Sequence, residues 1–285
     1  MIIDCHCHAG KGDGLTGPWN TDAPLGAYLR RARAAGITAI NLLPAFHTDY
    51  AKANRAVGRL VARAPRRLTG FAFIHAERDA GRVRELLNDA VRLGLIGVKV
   101  HRNDARLTRE ICDAARALRL PILYDVVGEI APIELYARQY REVAFIIPHL
   151  GSFADAWDAQ LALIDHLTRH PNVFTDTSGV RRFDLLVEAL RRAGPRKVLF
   201  GSDGPYLHPG VELAKIRALG LRPEDERLVL GGNFLRLTRA ARTRMPVTSS
   251  DRPCQGRRRL GCSPHAAGDN GGPRRRGVVR LRADA

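Results

Sequence analysis

Short apolar runs alternate along most of this chain with longer stretches of helical period. The runs at 2–6, 37–43, 69–75, 96–101, 121–127, 143–148, 172–177 and 197–202 are rich in β-branched and aromatic residues and too short to be helices. They predict buried strands. The stretches at 24–35, 49–64, 79–93, 107–118, 130–140, 155–169, 182–193, 211–219 and 224–237 repeat their apolar positions with the spacing of a helix face. Gly36 and Gly94 stand just past two of these helices, where a left-handed cap favours glycine.

The pattern is eight strands, each followed by a helix, in about 240 residues. That is the size and rhythm of a (β/α)8 TIM barrel, an α/β fold whose strands are covered on both faces. A doubly wound open sheet is the alternative. It does not need eight regular units, and no G-x-G-x-x-G follows the first strand. The expected division is a barrel over 1–241 and a tail over 242–285, where Pro, Gly, Ser and Arg dominate and no apolar period survives. Such a composition predicts disorder.

Composition narrows the class. The 285 residues are 45% hydrophobic and 26% charged, an ordinary globular balance. The apolar runs are far too short to span a bilayer, and Met1-Ile2-Ile3-Asp4 lacks the basic start and long apolar core of a signal peptide. A soluble, cytoplasmic protein is expected. Five cysteines, odd in number, do not form a disulfide framework. The formal charge of +17 is unevenly placed: from Thr243 onward ten Arg and three Asp contribute +7, leaving +10 on the rest. The basic residues are scattered over many helices and aromatics are only 6%, so the charge reads as solvated surface plus a basic tail, not a nucleic-acid footprint. The expected partner is a small-molecule substrate, with neither nucleic acid nor membrane; a homodimer stays open.

Candidate chemistry sits where a barrel places it, at the C-terminal ends of the strands. His6 and His8 are two apart, so on a strand they share a face and can take two positions on one divalent metal. Cys5 and Cys7 then face the other way, as small buried residues. His75 ends strand three, Lys99 and His101 lie on strand four, Asp125 on strand five, His149 after strand six and Asp203 after strand eight. Polar groups at so many strand ends are costly unless they bind something. His47, His166, His170 and His208 fall in loops or helices instead.

Taken together, the H-x-H start, Lys99-Val100-His101, Pro148-His149-Leu150-Gly151-Ser152, Phe200-Gly201-Ser202-Asp203-Gly204-Pro205 and the closing Gly231-Gly232-Asn233-Phe234-Leu235-Arg236-Leu237 resemble the amidohydrolase superfamily. More closely, they are similar to its amidohydrolase-related branch, which includes aminocarboxymuconate-semialdehyde decarboxylases and related hydrolases and lactonases. The resemblance spans about Met1 to Ala240. It implies a metal-centred barrel in which His6, His8 and Asp203 bind the metal and His149 assists catalysis. The family usually has a histidine ligand on strand five, where this chain has Asp125. Carboxylate also binds Zn²⁺ or Mn²⁺, so Asp125 is expected to keep the ligand count, with Zn²⁺ ahead of Mn²⁺. A site that works without metal is the other outcome, as in some lactonases of the branch.

The expected roles follow. The ion activates a water and polarises a carbonyl; Asp203 takes that water's proton; His149 orients the water or stabilises negative charge. Lys99 binds a substrate carboxylate, bridges two metals in carbamylated form, or pairs with Asp125 as a structural ion pair. His75, His101 and Arg102 are candidates for substrate contact, and Trp19 and Tyr206 for closing the site. The reading is a metal-dependent hydrolase of an amide, ester or lactone bond in a small carboxylate-bearing substrate. Its alternatives are a non-oxidative decarboxylase of an unsaturated or aromatic acid, a metal-free lactonase, or a barrel that only binds.

Overall fold

In the computed structural model, residues 1–13, 22–153 and 156–243 are described. Trp19 and residues 244–285 of the tail expected over 242–285 lie outside them, while Arg242 ends the last helix described. The first compact unit runs from Met1 to Met245.

The strands are β1 (Ile3–Ala9), β2 (Ala39–Pro44), β3 (Leu68–Gly70), β4 (Ala72–Phe73), β5 (Val98–His101), β6 (Ile122–Asp125), β7 (Phe145–Ile147), β8 (Val173–Asp176) and β9 (Val198–Leu199). All pair in parallel, in the orders β1-β2-β3 and β4-β5-β6-β7-β8-β9. The single strand expected over 69–75 is observed as two, over 68–70 and 72–73, because the backbone changes partner at Phe71. Its N–H donates to Leu42 O on β2, and the next N–H, of Ala72, donates to Gly97 O beside β5. One continuous third strand thus joins the two sheets.

The ring closes at the other end through the chain that continues β9. Cys5 N–H donates to Phe200 O, Asp203 N–H to His6 O and His8 N–H to Gly204 O. Asp4 strengthens the junction, accepting from Ser202 N–H, Ser202 Oγ and the Tyr28 hydroxyl. Gly204 is required there, since a Cβ would run into the Tyr28 ring. With closure the fold is the eight-stranded TIM barrel expected.

The helices that matter below are α1 (Leu25–Ala34), α2 (Tyr50–Arg63), α3 (Val83–Arg92), α4 (Arg109–Ala117), α5 (Pro132–Gln139), α6 (Trp157–Arg169), α7 (Phe183–Ala193), α8 (Pro209–Ala218), α9 (Pro223–Arg227) and α10 (Asn233–Arg242). The single helix expected over 224–237 is broken by a π-type turn at 228–232. Gly231 packs on Ile3, where a Cβ would come within 3.0 Å of that side chain, so the wide turn carries the chain close under β1. The strands are buried almost throughout, and one apolar core joins them to the helices. Cys5 and Cys7 are buried in it as expected, and both thiols are free. Among the described residues no helix is long and apolar enough to cross a membrane.

Candidate metal centre and active site

His6 and His8 lie on β1, which runs on to Ala9 and so brings both imidazoles to one point inside the mouth of the barrel. Their Nε2 atoms are 3.3 Å apart. Asp203, whose backbone is left-handed (φ 52°), turns its Oδ1 to within 3.5 Å of His6 Nε2 and 3.3 Å of His8 Nε2. Three ligand atoms therefore form a nearly equilateral triangle. Ligands at about 2.0–2.1 Å around a tetrahedral zinc are separated by roughly 3.3–3.4 Å.

The far side of each ring decides what the near side can do. His6 Nδ1 lies 2.9 Å from Asp176 Oδ2 at the end of β8, and His8 Nδ1 lies 3.1 Å from the Pro44 carbonyl at the end of β2. A carbonyl and a carboxylate can only accept, so both Nδ1 atoms carry the proton and both Nε2 atoms present lone pairs. Two lone pairs and a carboxylate oxygen facing one another repel unless a cation lies among them. Burial lowers the pKa of His6 to about 4 against the attraction of Asp176, which keeps it a neutral ligand. The residues present fit a divalent metal.

Asp176 is the hub behind this set, and strand-end reasoning passed over it. Besides His6 it accepts from Ser178 Oγ (2.6 Å), Ser178 N–H (3.0 Å) and His149 N–H (3.3 Å). Its signal was present, as the carboxylate of Thr175-Asp176-Thr177-Ser178 at the end of strand seven. Gly201 keeps the space open, because a Cβ there would lie 3.0 Å from His6 Cβ and 3.1 Å from Asp176 Cγ.

His149 stands beside the triangle, its ring 5.1 Å from that of His6. It follows β7 in a run of left-handed residues, His149 (φ 59°), Leu150 (φ 52°) and Gly151 (φ 94°), an uncommon conformation for side chains with a Cβ that here aims the imidazole inward. Its Nδ1 lies 2.8 Å from Ser178 O, and its Nε2 3.4 Å from Asp125 Oδ2. Burial works against the imidazolium, yet Asp125, with Asp203 and Asp176 behind it, raises the pKa to about 9.

Asp125 is directed toward histidines on the strands either side. The register pairs it with His101 across β5 and β6, and Asp125 Oδ2 is 3.1 Å from His101 Nε2. Its Oδ1 accepts from Val127 N–H. Burial opposes ionisation, but His101 and His149 hold the carboxyl well below the usual range. The triangle itself is made by His6, His8 and Asp203; Asp125 adjoins it through His149.

Lys99 is fully buried, and among the described residues its Nζ has no hydrogen-bond partner. Burial lowers its pKa, while Asp125, Asp203 and Asp176, in that order, favour its charge. His101 is held by Asp125 and by Asn103 N–H, with Phe46 edge-on at 4.8 Å. Arg102 lies at the rim in an ion pair with Glu129 (2.7 Å), which Arg106 shares. His75 is less buried. Its Nδ1 accepts from Glu77 and Arg78 N–H in its own turn, and its ring is 6.4 Å from Tyr50. Two half-exposed aromatics flank the mouth: Tyr206, 5.4 Å from the His8 ring, and Phe153, edge-on to His149 at 5.0 Å.

The sequence profile of the amidohydrolase family matches residues 3–239, and the chain belongs to that family. It is an enzyme of barrel fold, and His6, His8 and Asp203 are a candidate divalent-metal site within it. Comparison with curated proteins finds no match. Among solved structures, the chain is similar to an uncharacterised TIM-barrel protein of Bordetella bronchiseptica (TM-score 0.68, 14% identity, 84% of this chain and 99% of that one). It is similar to 5-carboxyvanillate decarboxylase from Sphingomonas paucimobilis (0.63, 15%, 84% and 98%). It is also similar to a probable 2-pyrone-4,6-dicarboxylic acid hydrolase from Acinetobacter baumannii with citric acid bound (0.65, 16%, 83% and 98%).

Proposed function

We propose that this chain is a cytoplasmic, metal-dependent hydrolase that opens an amide, ester or lactone bond in a small substrate bearing a carboxylate. The observation that carries the reading is the triangle of His6 Nε2, His8 Nε2 and Asp203 Oδ1, with both imidazoles locked in the tautomer of a ligand. A divalent ion held there, zinc first and manganese second, supplies Lewis acidity and lowers the pKa of a water. Asp176 and the Pro44 carbonyl orient the two imidazoles. The second carboxylate oxygen of Asp203 takes the proton of the attacking water and returns it to the leaving group. His149 Nε2–H stabilises the negative charge that develops on the substrate carbonyl oxygen. Lys99 offers an uncommitted cation for the substrate carboxylate, and His101, His75 and Arg102 contact the substrate further out. Asp125 holds His149 protonated and, from the strand-five position, is the further ligand that the family pattern calls for.

A second reading has one observation in its favour. A His149 imidazolium with a pKa of about 9 is a proton donor at neutral pH. In a decarboxylase it would protonate the carbon from which carbon dioxide departs. The similarity to 5-carboxyvanillate decarboxylase supports the same reading.

The test is elemental analysis of the purified protein, followed by a screen of lactones, amides and aromatic carboxylic acids with and without chelator. Metal-dependent ring opening or hydrolysis without carbon dioxide release is expected. Release of carbon dioxide would transfer the site to the decarboxylase reading. Turnover unaffected by complete metal removal would sink the metal-dependent hydrolase and leave a metal-free lactonase.

A further inference from the structure

Away from the barrel mouth, α6 carries His166 and ends at His170, one helical turn on, so the two rings share a face. They lie 5.4 Å apart and nearly parallel, at 21°. Opposite them, α5 presents Glu134. Its Oε2 is 4.0 Å from His166 Nδ1 and 3.8 Å from His170 Nε2, too long for hydrogen bonds. Those two nitrogens are buried and have no hydrogen-bond partner among the described residues. Both side chains are at least nine-tenths buried, with 7% and 10% of their surface exposed. Two unsatisfied imidazole nitrogens aimed at the same carboxylate oxygen are expensive to keep in a folded protein.

We propose that Glu134, His166 and His170 form a second divalent-cation site of zinc type, in the outer helical layer. One ligand atom from each residue lies within 4.8 Å of the other two. Drawing Glu134 Oε2 in by roughly half an ångström brings it to the ~3.3–3.4 Å spacing from each imidazole that a tetrahedral ion requires, with the two rings turning together to match, and a water can fill the fourth position. Two histidines four apart on a helix and one carboxylate are a donor set that zinc accepts. Burial lowers the pKa of both histidines, so each offers a lone pair at neutral pH. Glu134 is already oriented for the task, since Arg138 takes its other oxygen at 2.9 Å. One competitor is present: Arg169 Nη1 lies 3.5 Å from the ligating Oε2. Its side chain is more than half exposed and can swing to water when an ion arrives. The ion would staple α5 to α6, the helices that follow the strands carrying Asp125 and leading to His149.

The experiment is a Zn²⁺ titration of the full chain by calorimetry, with a thermal melt at each ratio, on a variant whose mouth site is disabled (His8→Ala with Asp203→Ala). One equivalent should remain and should raise the melting temperature by linkage. Adding His170→Ala should abolish both the equivalent and the shift. Arg169→Ala should tighten binding a few-fold, which a purely structural role for these residues does not require. If the His170 variant does not fold, Glu134→Gln, altering the more exposed side chain, gives the same readout. A mouth-disabled variant that binds no zinc would overturn the proposal. So would an equivalent that survives loss of both His170 and Glu134, which would pass to His6, His149 and Asp176 or to Cys254, Cys262 or His265.

Discussion

Asp176 Oδ2 receives the Nδ1 proton of His6 at 2.9 Å, across a sequence separation of 170 residues. That contact sets the tautomer and the direction of the imidazole that begins the metal triangle, and it raises the ring's basicity. Asp176→Asn keeps an acceptor but removes the charge. Metal affinity should fall about 10- to 100-fold, the usual cost of losing such a supporting carboxylate. Competition with a chelator of known affinity would measure it, and an unchanged affinity would remove Asp176 from the functional set.

His149 is separate from the ligands in role. His149→Gln should cut turnover by about 10²- to 10⁴-fold, the range for a lost proton-transfer group, while metal content stays near that of the wild type. Loss of metal as complete as in His6→Ala would instead make His149 a ligand.

The charge on His149 depends on Asp125. Asp125→Asn should bring the His149 pKa down from about 9, because burial then acts with less opposition. Titration of that ring by NMR reads the shift directly. The same variant, with Asp125→His, tests the ligand role: if Asp125 binds metal, Asn should weaken metal affinity and His should retain it. Equal affinity in all three would confine Asp125 to supporting His149 and His101.

Lys99 and the ion share three carboxylates. Lys99→Met leaves Asp125, Asp203 and Asp176 with one fewer cation, so a divalent metal should be held more tightly. The rise in melting temperature on adding metal should exceed that of the wild type. Equal shifts in the two proteins would place Lys99 outside the field of the site.

Lys197 gives a pH test far from the mouth. Its ammonium donates to His170 O and Val173 O, yet burial, and next Arg236, lower its pKa to about 8. An unfolded lysine titrates near ~10.4. Between these values the unfolded chain holds more protons, so the penalty present below about pH 8 is relieved as pH rises toward 10. Urea unfolding from pH 7 to 10 should show the wild type gaining stability relative to Lys197→Met across that window. Parallel curves would refute the assignment.

Much of the barrel was legible because its strands are buried on both faces and its helices on one, and those two periods differ along the chain. The His6–His8 pair was legible too, since the two share a strand face by spacing alone; Asp203 as their partner came from the family resemblance. What escaped depended on which neighbours the strands meet. Asp176 lies on β8, and nothing in Thr175-Asp176-Thr177 says that its carboxylate turns back to His6. A strand-end carboxylate such as Asp125 can reach either way, and only the register of β5 with β6 puts His101 opposite it. The break at Phe71 and the turn at Gly231 arise from a change of hydrogen-bond partner and a close packing on Ile3, which no local period records.

Closure of the ring also sets an order of events in time. His6 and Asp203 meet only because the chain beyond β9 lies against β1, where Asp203 N–H donates to His6 O at 2.7 Å. In chain order the imidazole pair comes well before its carboxylate partner, which follows only after six intervening strand–helix units. Until that last unit is in place the chain carries only part of the proposed metal site, and an ion held by His6 and His8 alone would be held weakly. Full-affinity metal uptake is thus a late event that reports completion of the ring, and fragments ending before Gly201 would be blind to metal at this site.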